Sequence, residues 1–427
     1  MNPQTTLTDP IARRIPFFYG WVMLPLAMIA MILTSPGQTF GVSVFNPSFR
    51  TELNLSHSLL TGAYMLGTLL ASIPQAYFGA LMDRWGIRRT MTAAVILFGL
   101  ACLFTSQVRN LPMLFFAFLC LRMFGQGALS LLASNTLAMW FHDRLGRVSG
   151  IMNVGTAAAV GLVPGLILSL INGIGWRWTY AALGIIVWLI MLPLLATLFR
   201  NQPEDVGQIQ DGLRIPKSAS EIMGENGRSF TLPAAFHTRA YWITICLTVA
   251  WSMIVTGITF NIIPLFESHG LSEAVATASF ATLAAALAVS QIIGGYLADR
   301  LPLNWLACAS AAGLVAGVFM LLPLQTVTQA HIFALFLGVG QGLLGAVQST
   351  LWVRYYGRLH LGKIRGSIAT ANVAASSLGP FLMGATFDIF GSYNASLWLF
   401  LAILLPLTLA TPFATPPITT AQSSRHQ

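Results

Sequence analysis

The chemistry open to this chain turns first on a single arginine. Arg122 stands inside an apolar run from about 111 to 139, roughly a dozen residues from its start. An unpaired guanidinium there costs on the order of several kcal/mol unless something neutralises or solvates it. No Asp or Glu occupies the middle of any apolar run; Glu52, Glu267, Glu273 and Asp388 all fall at run ends. Two uses of Arg122 stay open. It faces a wet cavity and holds an anionic solute, or it is a structural cation satisfied by carbonyls and amides. The missing counter-ion favours the anion. Amides form the second group: Gln38, Gln75, Gln126, Asn153, Asn261, Gln291, Gln341, Gln348 and Asn372 lie in or near apolar runs. Each needs a hydrogen-bonding partner from a neighbouring helix, water or a ligand. Trp251 and Trp352 are candidates to wall a cavity or to anchor packing. His57, His142, His237, His269, His331 and His360 fall in loops or at run ends, which argues against a histidine proton relay.

Other chemistries find no support. Cys102, Cys120, Cys246 and Cys308 have no zinc-like spacing, so no metal, cofactor or disulfide is expected. Gly338-Val-Gly340-Gln-Gly342 lies inside an apolar run without a following Lys-Ser/Thr, so it is no phosphate loop. No nucleophile–base–acid set is visible, and an enzyme is not expected.

The elements that carry these residues follow from composition. Of 427 residues 56% are apolar and only 8% charged, against about 45–50% and about 25% in soluble domains. So few charges cannot cover a water-soluble surface of this size, which excludes a soluble enzyme, a disordered scaffold and a nucleic-acid binder. Crossing an apolar slab about 30 Å thick takes about 20 helical residues. Windows of that kind lie near 19–46, 59–81, 90–107, 111–139, 147–172 and 177–199, then near 240–266, 273–297, 303–324, 330–353, 363–388 and 394–414. They are continuous runs, not ten-residue alternations, so helices and not a barrel are expected. The first run is long enough to be a retained span and not a removed signal peptide.

Charge sets the orientation. With the N-terminus in the cytoplasm, eighteen of the 22 Lys and Arg fall inside: Arg13, Arg14, Arg84, Arg88, Arg89, Arg144, Arg147, Arg200, Arg214, Lys217, Arg228, Arg239, Arg300, Arg354, Arg358, Lys363, Arg365 and Arg425. Only Arg50, Arg109 and Arg177 fall outside. The net charge of +9 is thus a topology signal. A multi-pass protein of the cytoplasmic (inner) cell membrane is expected, with both termini cytoplasmic. The expected organisation is a six-helix bundle over 1–199, a cytoplasmic linker over 200–239, and a second bundle with a short tail over 240–427.

The two halves match at a shift of 215–216 residues. Gly79, Asp83 and Arg84 meet Gly295, Asp299 and Arg300, and Gln75 meets Gln291. Gly125-Gln126-Gly127 meets Gly340-Gln341-Gly342, while Gly146, Gly150 and Pro164 meet Gly362, Gly366 and Pro380. An ordered series at one shift is hard to obtain by chance. Parallel six-span repeats with a solute site near mid-membrane are the plan of an alternating-access transporter.

Gly79-Ala-Leu-Met-Asp83-Arg84-Trp-Gly86-Ile-Arg88-Arg89 resembles the major facilitator superfamily, as its full GxxxDRxGxR[RK] signature. Gly295-Tyr-Leu-Ala-Asp299-Arg300 is a weaker copy in the second half. The resemblance covers essentially the whole chain and implies twelve transmembrane helices as two pseudo-symmetric bundles. It also implies a cytoplasmic latch built on Asp83, Arg84, Arg88, Arg89, Asp299 and Arg300, with Asp83 facing a helix N-terminus such as the one near Lys363. Within the superfamily, Tyr19-Gly20-Trp21 and Trp140-Phe141-His-Asp-Arg144-Leu-Gly146-Arg147-Val-Ser-Gly150 look like the monocarboxylate and oxalate/formate branch. The chain departs from that branch at Gln291, where members carry a cation, and has no Lys or Arg inside helix 1 or after Arg365 in helix 11.

These readings converge on a secondary transporter of a small organic anion, resembling monocarboxylate carriers, with protons as the candidate coupling ion. Arg122 is the expected charge anchor. Gln126, Gln291 and Gln341 are the expected orienting donors, with Asn153, Asn372, Gln38 and Trp251 as further contacts. The expected partners are the solute and the lipid bilayer, the chain being a monomer without nucleic acid. The alternatives are a carrier or exporter of neutral or amphiphilic compounds, in which Arg122 is structural, and a transporter-like membrane sensor or scaffold.

Overall fold

The computed structural model describes residues 17–141, 144–212, 230–357 and 360–417. Arg13, Arg14, His142, Arg214, Lys217, Arg228, Arg358 and Arg425 lie outside these residues. No strand occurs among the described residues, and the chain divides into two compact units, Met1–Pro216 and Lys217–Gln427.

The first unit begins with α1 (Gly20–Leu33), which stops where the backbone meets Ser35-Pro36-Gly37. Pro36 has no N–H to extend a helix and Gly37 resists one, so the chain tightens into a 3-10 turn there. It resumes as α2 (Thr39–Val42), a second 3-10 turn (Ser43–Phe45) and α3 (Asn46–Leu53). The long first run is therefore a broken span, not one helix. The second span is also bent: α4 (His57–Ser72) and α5 (Gln75–Trp85) meet at Pro74 with a 44° change of direction. After α6 (Ile87–Ser106), the fourth span runs through α7 (Leu111–Cys120), a π-helical stretch (Leu121–Leu129) and α8 (Ser130–Trp140). Next comes α9 (Leu145–Thr197), whose 53 residues break at Gly175, where φ is +79°. At 1.5 Å per residue α9 would be about 80 Å long, far beyond one bilayer core of about 30 Å, so it holds two spans.

The second unit contains α10 (Leu232–Phe236), α11 (Arg239–Phe260) and α12 (Ile262–Ser268), then α13 (Glu273–Arg300) and α14 (Leu303–Leu321). It closes with α15 (Val327–Tyr356), α16 (Leu361–Phe390) and α17 (Asn394–Ala410). Asn261 separates α11 from α12, its side-chain amide donating to the Gly257 and Pro380 carbonyls at 3.0 and 3.4 Å. Among the described residues ten helices are long and apolar enough to cross a membrane. Counting α9 as two spans and α4–α5 as one bent span gives twelve, six in each unit.

Side-chain caps fix where helices start. Ser56, Asn110 and Thr326 each accept the backbone N–H three residues on, and Gln329 returns the bond to Thr326, closing a capping box. Within the first unit α6 packs mainly on α9, α4 on α7, and α1 on α8 and α9. Within the second, α15 is the hub between α13 and α14, while α11 packs on α16. The hub needs glycine. A Cβ on Gly342 would stand 2.4 Å from the Ser290 hydroxyl and 2.6 Å from the Leu287 carbonyl oxygen.

Candidate functional site

Arg122 is 3% exposed and lies in the π-helical stretch, which packs against the Ser35–Gly37 turn of the broken first span. Each irregularity supplies something the guanidinium uses. The turn frees the Gly37 carbonyl, to which Nη1 donates at 3.4 Å, and places the Thr39 hydroxyl, to which Nη1 donates at 3.3 Å. Across the site the guanidinium carbon is 5.1 Å from the centroid of the Tyr64 ring, a cation–π contact from α4. The Tyr64 hydroxyl in turn hydrogen-bonds Thr39 at 2.9 Å. No carboxylate pairs with Arg122 among the described residues, and Nε, although buried, has no partner. One turn on, the buried Gln126 Oε1 also lacks a partner. A π segment is a recurrent mark of functional positions, and this one carries two buried polar atoms left unmet.

The other expected contacts divide by unit. Gln38 ties the broken span to the fourth, its Nε2 donating to Thr34 at 3.0 Å and to Ser130 at 3.2 Å. Asn153 is exposed on α9. In the second unit, Gln291 lies along Gly345 of α15, its Nε2 3.5 Å from where a Cβ there would stand. Gln75 lies against Gly127, its Nε2 3.4 Å from where a Cβ would stand, although the repeat pairs Gly127 with Gly342 and not with Gly345. Gln341 is partly exposed on α15. The buried Asn372 Oδ1 has no partner, while its backbone carbonyl accepts the Ser252 hydroxyl at 3.0 Å. Trp251 is 6% exposed with its ring edge over Gly340, and Trp352 is buried, donating to Gln348 at 2.5 Å and stacking on Tyr356. Both indoles sit in packing positions within the unit. Sequence reasoning missed Tyr64 and Thr39; the available signal was a tyrosine in the span beside a lone arginine, since a ring face is one of few apolar-compatible partners for a cation.

The signature loop resolves into separate jobs. Gly86 adopts φ +82°, a conformation that admits glycine and few others, and it turns the chain from α5 into α6. Arg88 donates from Nε to the Leu195 carbonyl at 2.7 Å and from Nη2 to the Ala196 carbonyl at 2.5 Å. It thereby closes the negative C-terminal end of α9. Asp83, Arg84 and Arg89 are exposed at this face, and Asp83 forms no ion pair within its unit among the described residues. The second-half copy differs. Asp299 is paired with Arg354, Nη2 to Oδ1 at 2.6 Å, while Arg354 Nη1 donates to the Ala298 carbonyl at 2.6 Å. Arg300 stacks over the Tyr296 ring at 4.1 Å.

The two stretches that resemble the monocarboxylate branch meet each other. Tyr19 and Phe18 pack on Trp140, and Trp21 and Phe18 pack on Phe141, with ring centroids 5.4–6.0 Å apart. The Tyr19 hydroxyl donates to the Leu198 carbonyl at 2.6 Å. Both stretches therefore build one aromatic joint at the N-terminal end of α1. At the opposite end of the unit, Arg177 holds Glu52 through Nη2 at 2.7 Å and Nε at 3.0 Å, and it lies over the Trp176 ring at 4.3 Å. Trp176 donates to the same carboxylate. Burial alone would raise the Glu52 pKa, but the bonds from Arg177 and Trp176 and the Arg177 charge outweigh it and hold the carboxyl below its usual range.

Comparison with known proteins agrees with this architecture. The family model for the Major Facilitator Superfamily matches residues 26–380. The uncharacterized MFS-type transporter YhjX of Escherichia coli (strain K12) is 26% identical over 286 residues, covering 65% of this chain and 66% of that protein. The lincomycin resistance protein of Streptomyces lincolnensis is 30% identical over 181 residues, 41% of this chain and 34% of that one. The probable nitrate/nitrite transporter NarK2 of Mycobacterium tuberculosis is 33% identical over 176 residues, 37% and 43% respectively. This chain thus spans slightly under two thirds of YhjX and less than half of the other two. A bacterial homologue of the human lysosomal transporter Spinster, solved in an inward-facing and unoccupied conformation, superposes with a TM-score of 0.70 at 17% identity, covering 93% of this chain and 96% of that one. The match of the family model across most of the chain, on two six-span units carrying the loop signature, makes this chain a member of the Major Facilitator Superfamily.

Proposed function

We propose that the chain is a secondary transporter of small organic anions in the cytoplasmic membrane, with Arg122 as its charge anchor. One observation carries the reading: Arg122 is buried without a carboxylate among the described residues, and its bonds to Gly37 and Thr39 lie at the long end of the useful range. An arriving anion gains charge-assisted bonds that exceed those to Gly37 and Thr39, and it cancels the buried charge. Cancellation lowers the cost of enclosing the site, which ties closure to loading. Gln126 is the proposed neighbouring donor. Gln38, Asn153, Gln291, Gln341 and Asn372 are proposed to orient the solute during the cycle, with Trp251 as a supporting wall. Asp83, Arg84, Arg88, Arg89, Asp299 and Arg300 are the proposed cytoplasmic gate. Short monocarboxylates head the panel because of the Tyr19 and Trp140 stretches, and NarK2 widens it to inorganic anions. No span carries a central carboxylate, so coupling is proposed to follow a proton that travels on the weak acid itself.

The test is uptake of labelled mono- and dicarboxylates, nitrate and nitrite into proteoliposomes, with and without an inward proton gradient, beside an Arg122→Gln protein reconstituted equally. Saturable anion uptake that falls at least about tenfold in the variant is expected, a loss of one charge-assisted bond or more. Unchanged uptake in the variant returns Arg122 to a structural role. The second reading, a neutral or amphiphilic cargo, draws on the fact that Gly37, Thr39 and Tyr64 already hold Arg122, and on the lincomycin resistance relative. Folded protein that moves no acid but exports such a compound would establish it.

A further inference from the structure

The seam between α13 and α15 has two unlike sides. At about 100° per residue, Gln291 and Gln341 fall on one side of the seam. On the other, α13 presents a stripe from Ala281 to Leu297 at helical spacing, and α15 adds Leu335, Val339 and Leu343. Together they form a groove of about 840 Å³. Its hydroxyls are already used: Thr282 bonds the His331 ring at 2.8 Å, and Ser290 donates to the Ala286 carbonyl. The groove is therefore apolar, and Val289 (57%), Ile293 (50%) and Leu335 (47%) stand exposed within it. From Thr282 to Leu297 it runs about 22 Å along the helix, more than the depth of one leaflet at about 15 Å.

An apolar groove in a bilayer does not select its occupant, because lipid tails are as apolar as its walls. Selection needs a polar end, and this groove has one. Arg300 continues the stripe, following Ile293 and Leu297 at helical spacing on the last turn of α13. Its neighbour Asp299 is occupied by Arg354, so Arg300 is left exposed, stacked on Tyr296 and without a carboxylate among the described residues. A guanidinium so placed meets a phosphate diester while a tail fills the groove above it. We infer that this surface is a binding site for an anionic phospholipid of the cytoplasmic leaflet, with its phosphate on Arg300 and an acyl chain along α13 and α15. The inference does not depend on the cargo.

Purified full-length protein, stripped of lipid in detergent, is titrated with dioleoyl phosphatidylglycerol or dioleoyl phosphatidylcholine and followed by native mass spectrometry. A preference for phosphatidylglycerol of about fivefold to tenfold is expected, the size of one surface arginine acting on an anionic headgroup. Arg300→Gln should abolish the preference, and Arg147→Gln, removing an exposed arginine of the other unit, should leave it intact. Ala285→Trp, which fills the groove at an exposed position, should weaken binding of both lipids without lowering the melting temperature. Equal affinity for the two lipids, a preference that survives in Arg300→Gln, or one that Arg147→Gln removes equally, would overturn the site. So would unaltered binding to the filled groove.

Discussion

Arg122 is held by a carbonyl, a hydroxyl and a ring, and these together do not replace the water a guanidinium gives up. A cation–π contact is worth about 2 kcal/mol when desolvated and each long hydrogen bond somewhat less, against a larger desolvation cost. Under the proposed anchor role, Arg122 is kept at this net cost for something other than stability. Arg122→Met is therefore expected to raise the melting temperature in detergent while abolishing saturable uptake. A fall in melting temperature would instead mark Arg122 as a structural cation. Tyr64→Leu, which removes the ring face but leaves the charge, should destabilise by about 2 kcal/mol, and Tyr64→Phe by less, since the ring face stays while the hydroxyl's bonds, that to Thr39 among them, go. The arginine and the amides were legible because polar types in apolar runs stand out. Tyr64 was not, because a tyrosine in a span is ordinary until its partner is known.

At the scale of elements, what matters is where helices fail to be regular. Run length found every span but could not show that the first breaks at Ser35-Pro36-Gly37 or that the fourth widens into a π stretch. Pro36 announces a break, whereas a π turn leaves no pattern of apolar residues to read. Glycines illustrate the same limit from the other side. Gly342 and Gly79 look alike in sequence, yet a Cβ on Gly342 meets backbone while one on Gly79 meets nothing within 4 Å. Gly342→Ala should cost about 1–3 kcal/mol through overpacking of α13 on α15. Gly79→Ala should gain about 0.5–1 kcal/mol from helix propensity. Thermal melts of both variants separate packing glycines from the rest. A different joint holds α3 to the second arm of α9, through Glu52 and Arg177. The Glu52 pKa is depressed, so its contribution is complete above the unfolded value of about 4.3 and fades as pH falls through the folded value. Melting temperature should consequently drop on acidification below about pH 4, and that increment should be missing in Glu52→Gln. An identical acid profile for both proteins would assign the loss to other groups.

The molecule as a whole is a repeat whose copies have diverged in charge. The shift that carries Gln126 onto Gln341 carries Arg122 onto Leu337, so the buried cation belongs to one unit alone. Conversely Arg354, which occupies Asp299, matches Ala138 or Met139 in the first unit, and Asp83 has no such partner there among the described residues. Matching glycines and amides made the twofold plan readable because they serve packing that both copies share. The divergent charges could not be interpreted that way, since their meaning depends on neighbours two or three spans distant. Orientation depends on neither copy but on the sum of the charged loops. The proposed orientation assigns eighteen cationic residues of the sequence to the cytoplasmic side and three to the other, the bias that the insertion rule favours. In a version whose free Cys102, Cys120, Cys246 and Cys308 are replaced, Arg109→Cys should react with a membrane-impermeant maleimide on intact cells. Arg147→Cys should react only after the membrane is opened, although it is equally exposed on its own unit. The reverse pattern would place the signature loop outside, and neither a cytoplasmic gate at Asp83 nor an inner-leaflet lipid at Arg300 would then stand.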